Sequence, residues 1–207
     1  MKDCIIITSV VQTTDKPLCY INIRSIYSHQ QRFAQTLETI ESVRKYMPKV
    51  HILLIECSPP SEWMDILSTK VDQFINLKFN DIVNNSPKKG WGEKTLLLHA
   101  LDSLTEEYRY IYKMTGRYVL QNTIEWADSD LFTFSKTNDY GMSNGIHTFF
   151  YRIPSSKLSM YKEIIESFNT EECIENYIAT KLDGNITYIG RIGILCKWSC
   201  KNFTTIY

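Results

Sequence analysis

With 207 residues, 43% of them hydrophobic and 22% charged, the chain has the composition of one globular domain, and neither disorder nor a coiled coil fits it. Lys+Arg and Asp+Glu both number 23, so the formal charge is zero, and the absence of a basic excess or stripe argues against a nucleic-acid partner. The six cysteines form no paired CxxC: Cys4 and Cys57 read as small buried hydrophobes, and Cys196 and Cys200 lack a second ligand pair for zinc.

The opening Met1-Lys2-Asp3-Cys4-Ile5 has no sustained apolar region of a secretory signal. No apolar run approaches the roughly 20 residues that span a bilayer. The expectation is a soluble, cytoplasmic protein in a reducing compartment.

In chain order, Cys4 to Val10 is a continuous apolar run, predicting a strand buried on both faces. A polar loop follows from Gln12 to Tyr27. Ser28 and Gln31 form a capping-box pattern, and Phe33, Leu37, Ile40 and Met47 recur at helical spacing up to Pro48. Val50 to Glu56 predicts a second buried strand, Ser61 to Val71 a helix, and Gln73 to Leu77 a short third strand. Asn80 to Gly92 reads as a polar loop, Glu93 to Leu104 as a helix, and Arg109 to Met114 as a fourth strand. Beyond a mixed stretch to Tyr140, a strand is predicted at Ile146–Ile153, helices at Leu158–Phe168 and Glu171–Leu182, and one or two strands within Ile186–Leu195.

Strands alternating with helices imply a mainly parallel sheet covered on both sides, with ligands beyond the carboxyl ends of its strands. That rule singles out Thr8-Ser9, the Lys88–Lys94 loop and Met114–Arg117. After Val10 the chain has no glycine-rich fingerprint, which disfavours dinucleotide enzymes and P-loop NTPases, and no nucleophile elbow occurs. In Lys89-Gly90-Trp91-Gly92-Glu93-Lys94 the two glycines permit close backbone approach, and the helix start offers free N–H groups to a phosphate. Lys113, Thr115, Gly116 and Arg117 end the fourth strand with two cations and a hydroxyl suited to a diphosphate.

These two clusters carry a resemblance. Lys89-Gly90-Trp91-Gly92-Glu93 followed by Tyr110-Ile111-Tyr112-Lys113-Met114-Thr115-Gly116-Arg117-Tyr118 resembles a "KGxGE … YIxKxxGRY" pattern of small GT-A-like sugar transferases in polysaccharide pathways of bacteria and large DNA viruses. Cys173-Ile174-Glu175-Asn176 and Ile189 to Gly193 resemble that group's "IE" helix and terminal strand, and Thr39 to Arg44 its first helix. The resemblance implies a single α/β domain with a GT-A-like (Rossmann-like), mostly parallel sheet flanked by helices. Residues 1–118 would form the nucleotide-binding half and 119–207 the acceptor and catalytic half. It implies hexosyl or deoxyhexosyl transfer from a nucleotide sugar, a UDP sugar foremost, to a glycan-type acceptor. Thr8 would face the nucleotide, and Lys89, Gly90, Gly92, Glu93 and Lys94 would line the donor. Lys113, Thr115, Gly116 and Arg117 would stand where most such enzymes carry an Asp-x-Asp motif for Mn²⁺ or Mg²⁺. A lysine stands where an acidic ligand is expected, so either protein cations neutralise the diphosphate or a divalent cation is held elsewhere. The one literal Asp-x-Asp, Asp128-Ser129-Asp130, is the alternative metal site. By the same resemblance Glu175 is the expected catalytic base, with Glu172 second. His147 reads as structural. Two rival readings share these residues: a binding protein of the same fold without catalysis, and a metal-dependent phosphohydrolase using Asp128, Asp130 and Asp139.

Overall fold

The computed structural model describes residues 1–136, 146–169, 171–190, 193–197 and 204–206. Its elements run β1 (Lys2–Ser9), α1 (His29–Tyr46), β2 (His51–Glu56), α2 (Glu62–Ser68), β3 (Gln73–Asn76), α3 (Asp81–Asn85), α4 (Lys89–Asp102), β4 (Tyr108–Thr115), β5 (Tyr118–Leu120), β6 (Phe132–Lys136), β7 (Ile146–Pro154), α5 (Leu158–Ser167), α6 (Ile174–Lys181), β8 (Ile186–Ile189), β9 (Ile194–Lys197) and β10 (Thr204–Ile206). A seven-stranded sheet has the order β3-β2-β1-β4-β7-β6-β8, and a three-stranded sheet the order β10-β9-β5. In the large sheet β1 through β4 pair in parallel, and β7 alone opposes its neighbours. The expected, mostly parallel α/β sheet is therefore present.

The unbroken apolar runs of β1, β2 and β4 follow from burial on both faces. Side chains alternate across a strand, so Ile6, Leu53, Ile55 and Ile111 pack against Leu97, Leu101, Ile165 and Ile178 of α4, α5 and α6. On the other face Ile5, Ile7, Leu54 and Met114 meet Ile40 and Val43 of α1, Met64 and Leu67 of α2, and Leu120 of β5. Cys4 and Cys57 are fully buried in the first layer, and burial raises their thiols to about 12 and about 11. Cys200 and Asp139 lie outside the described residues.

Three element readings change. The apolar spacing of α1 predicts Phe33 and Leu37 as core, yet both are only half-buried, while Arg32, Gln35, Thr36, Thr39 and Ser42 are buried beside Ile40 and Val43. The cause is that α1 lies over polar backbone: Thr36 Oγ1 donates to the Gly116 carbonyl (3.0 Å), and Ser42 Oγ accepts from Leu120 N (3.1 Å). Second, the loop expected from Asn80 to Gly92 contains α3, capped by Asn80, and α4 already begins at Lys89. Third, the helix expected from Glu171 starts at Ile174, so Glu171 and Glu175 do not share a helix face.

The capping box at Ser28 is formed in both directions, with Ser28 Oγ accepting from Gln31 N and Gln31 Oε1 from Ser28 N. Ser28→Ala removes the first of these bonds and is expected to cost about 1 kcal/mol. The urea-unfolding midpoint should fall with an unchanged slope.

Candidate active site

The carboxyl ends of β1 and β4 lie side by side, with Thr8 paired to Thr115. The opposed strand β7 brings its beginning, His147 to Phe149, to the same edge, and the N-termini of α4 and α6 point there. Two adjoining cavities result. The first, of about 110 Å³, is lined by Thr8, Ser9, Thr13, Arg24, Arg32, Asn84, Lys89, Gly92, Glu93, Thr115 and Arg117 among others. The second, of about 480 Å³, is lined by Lys88, Lys89, Gly90, Glu93, Lys113, Thr115, Arg117, His147, Phe149, Phe168, Glu172, Cys173 and Glu175 among others. Lys89, Glu93, Thr115 and Arg117 belong to both walls, so the cavities form one bent cleft.

A buried polar chain runs along its floor. Thr8 Oγ1 donates to Glu93 Oε1 (3.3 Å), which is also ion-paired with Lys113 Nζ. Lys113 Nζ donates further to Thr115 Oγ1 (2.9 Å) and to the Thr148 carbonyl (2.7 Å). Thr148 Oγ1 in turn donates to Glu175 Oε1 at 2.9 Å. The Lys113 side chain is only 2% exposed. A lysine so placed persists because three oxygens satisfy its three donors. The chain joins β1, α4, β4, β7 and α6, and so holds Glu175 in register with the strand ends.

The cationic groups sit on the first cavity. Arg24 and Arg32 are 8% and 5% exposed. Arg24 Nε donates to the Lys16 carbonyl (3.2 Å) and Nη2 to the Ser86 carbonyl, which straps the loop after β1 onto α3. Cys19 N to Pro87 O (2.9 Å) and Thr14 Oγ1 to Asn84 O (2.6 Å) complete that strap. Burial without a carboxylate partner lowers the Arg24 pKa from its ordinary value. Arg32 reaches from α1 to the Val10 carbonyl (Nε, 2.7 Å) and to Ser25 Oγ (3.2 Å). The Arg117 guanidinium lies 5.8 Å from the Tyr118 ring centroid, and its Nε is buried with no hydrogen-bond partner among the described residues. Behind this wall Glu56 is fully buried, accepts from Val11 N (2.9 Å) and Ser58 Oγ, and fixes the turn that follows β1; burial raises its pKa against the pull of those bonds and of Arg32.

The structure thus gathers Thr8, Lys89, Gly90, Gly92, Glu93, Lys113, Thr115, Arg117, Glu172 and Glu175 around one cleft. Several of them do other work than expected. Gly90 and Gly92 lie inside the first turns of α4, and what approaches them is protein. A Cβ at Gly90 would stand 3.3 Å from the Phe168 ring, and one at Gly92 3.3 Å from the Val83 backbone. Gly116 likewise lets β4 close on β1, its N–H donating to Thr8 O at 2.9 Å. Lys94 turns away from the cleft and caps the end of α5 through the carbonyls of Glu166 (2.7 Å) and Phe168 (2.8 Å). Lys113 is held by Glu93 and is no open cation.

Asp128 and Asp130 are not brought to this cleft. Asp128 pairs with Arg109 (2.6 Å) and accepts from the Tyr110 hydroxyl near the start of β4, at the opposite edge of the sheet, and these contacts hold its carboxyl below the usual range. Asp130 accepts from Ser156 Oγ. Among the described residues no three His, Cys, Asp or Glu side chains cluster as metal ligands. Of the groups that sequence reasoning missed, Arg32 had a signal: residues 32, 35, 36, 39 and 42 make a polar row at helical spacing. Arg24 had none, because a lone arginine in a polar loop looks like any exposed base.

No protein-family model matches the sequence, and no curated protein matches it. Solved structures match in fold. The glycosyltransferase GlyE of Streptococcus pneumoniae TIGR4 aligns with a TM-score of 0.55 at 10% identity, over 91% of this chain and 45% of its own. The galactosyltransferase LgtC, solved with donor and acceptor sugar analogs, gives 0.52 at 11% identity over 90% of this chain and 72% of its own. A glycosyltransferase involved in glycosylation of the major capsid of PBCV-1 gives 0.51 at 12% identity over 90% and 81%. The chain spans less than half the length of GlyE. At these identities the likeness shows the fold alone: a GT-A-type, Rossmann-like, mostly parallel sheet flanked by helices.

Proposed function

We propose that this chain transfers a sugar from a nucleotide-sugar donor, foremost a UDP sugar, to the hydroxyl of a glycan-type acceptor. The observation that carries the reading is the bent cleft at the carboxyl edge of the sheet, cationic in its narrow arm and bearing Glu175 in its wide arm. Topology places ligands at this edge, and the similar structures are named as glycosyltransferases.

In this account the donor diphosphate lies against Arg117 and the start of α4, whose Lys88 cap supplies no side-chain bond and leaves the first N–H groups to a ligand. The donor sugar reaches into the wide arm between Phe149, Phe168 and Tyr118, whose rings suit the apolar face of a pyranose. The acceptor oxygen attacks the anomeric carbon as the bond from that carbon to the diphosphate oxygen breaks. The nucleoside diphosphate leaves with the electron pair. Glu175 takes the acceptor proton, and the fixed cations stabilise the negative charge that grows on the leaving group. Thr148 orients Glu175 through its 2.9 Å bond. No helix among the described residues is long and apolar enough to cross a membrane.

The test is titration of the intact chain with UDP and UDP sugars by calorimetry, followed by Arg117→Ala. Binding is expected, and loss of Arg117 should weaken it about tenfold or more, the scale of one charge-assisted hydrogen bond. Unchanged affinity in Arg117→Ala removes the donor from this cleft.

A further inference from the structure

The fold type brings an expectation of a divalent cation between protein carboxylates and the donor diphosphate. The side chains at the strand ends do not fit one. Of the carboxylates lining the cleft, Glu93 is tied to Lys113 and Thr8, Glu171 to Lys88 and Glu175 to Thr148, which leaves Glu172, on the exposed stretch before α6, as a lone carboxylate and not a ligand set. Among the described residues the narrow arm carries Arg24, Arg32, Lys89 and Arg117 against Glu93 as its one acidic lining residue. Glu93 is itself neutralised by Lys113, so the field there repels a dication. A hard cation needs several oxygen ligands of net negative charge, and this wall offers the reverse.

We propose that Arg24, Arg117 and Lys89 of this chain take the place of the divalent cation and neutralise the donor's diphosphate directly. The proposal rests on the donor-binding reading above and goes beyond it by assigning the counter-charge. Two observations point to an anion. Arg24 is nine-tenths buried on the cavity wall, and its bonds to the Lys16 and Ser86 carbonyls use Nε and Nη2, leaving Nη1 for a ligand. Independently, Arg117 Nε is buried without a partner among the described residues, where the two arms meet. A buried guanidinium donor lacking an acceptor, as Arg117 Nε is, is costly, and a diphosphate oxygen supplies one with geometry a guanidinium suits. Arg24 also belongs to the strap over the cavity, so an anion gripped there draws the loop of residues 12–27 and the strand ends together.

Calorimetric titration of the full chain with UDP and, separately, GDP tests this, each in excess EDTA and in excess MnCl₂. The Kd of whichever nucleotide binds should agree within about twofold between the two buffers, and Arg24→Gln should raise it about tenfold or more in both. Arg24→Lys, which keeps the charge, should recover part of that loss, and thermal denaturation of both variants checks that they fold. If Mn²⁺ tightens nucleotide binding tenfold or more, or manganese resonance shows a stoichiometric ion on the nucleotide-bound chain, the proposal is overturned while the donor-binding reading stands. If neither nucleotide binds in either buffer, both fall. The wild-type comparison decides the matter even where an arginine variant fails to fold.

Discussion

Glu175→Gln is expected to bind the donor nucleotide with unchanged affinity and to lose transfer by about 10²- to 10⁴-fold, the range a positioned general base contributes. The substitution keeps the shape and the oxygen that accepts from Thr148 Oγ1, so the fold and the second cavity stay as they are. What disappears is the ability to take a proton. Since the acceptor hydroxyl is neutral in the ground state and positive in the transition state without a base, the loss falls on kcat more than on KM. Glu172, on the exposed stretch before α6, has no such orienting bond among the described residues, and Glu172→Gln should change turnover far less. Equal losses in the two variants would indicate a wall of shared negative charge with no single base. Full activity in Glu175→Gln would move the base elsewhere.

Lys113→Met is expected to destabilise the chain by about 3 kcal/mol, the lower end for breaking a buried ion pair. The lower end applies because the Glu93 side chain is 22% exposed and water can partly screen the orphaned carboxylate. The same change strips Thr115 Oγ1 and the Thr148 carbonyl of their donor. Urea unfolding measures the loss. The double variant Lys113→Met with Glu93→Gln should recover part of it, a coupling that non-neighbouring sites do not show. A Lys113 acting as an open phosphate ligand predicts the opposite pattern: little change in stability, a large loss of nucleotide affinity, and no recovery on neutralising Glu93.

The sheet was legible because its signals are strong. Cys4 to Val10 and Val50 to Glu56 are runs that only two-sided burial explains. The two motifs around Gly92 and Arg117 both fall at the carboxyl edge of the sheet, on the walls of the bent cleft. What local pattern could not show was division of labour within a cluster. Lys94, Lys113 and Arg117 look alike in sequence, yet one caps a helix, one is held by Glu93 and one faces the cleft. The glycines misled in the same way: Gly92 yields room to Val83 of α3, an element that the Asn- and Lys-rich composition concealed as loop. Asp128-Ser129-Asp130 has the letters of a metal motif, but it follows β5 and returns to the start of β4, where Arg109 takes the charge. Arg24 was invisible because its importance comes from burial by elements distant in the chain, whereas Arg32 showed only as one member of the polar row along α1.

The most direct test of the account is a crystal structure of the chain with the nucleotide diphosphate it binds. The account predicts diphosphate oxygens within hydrogen-bonding distance of Arg117 Nε and Arg24 Nη1, at the carboxyl ends of β1 and β4. A diphosphate seated instead beside Asp128 and Asp130, or anywhere away from Arg117, would contradict it.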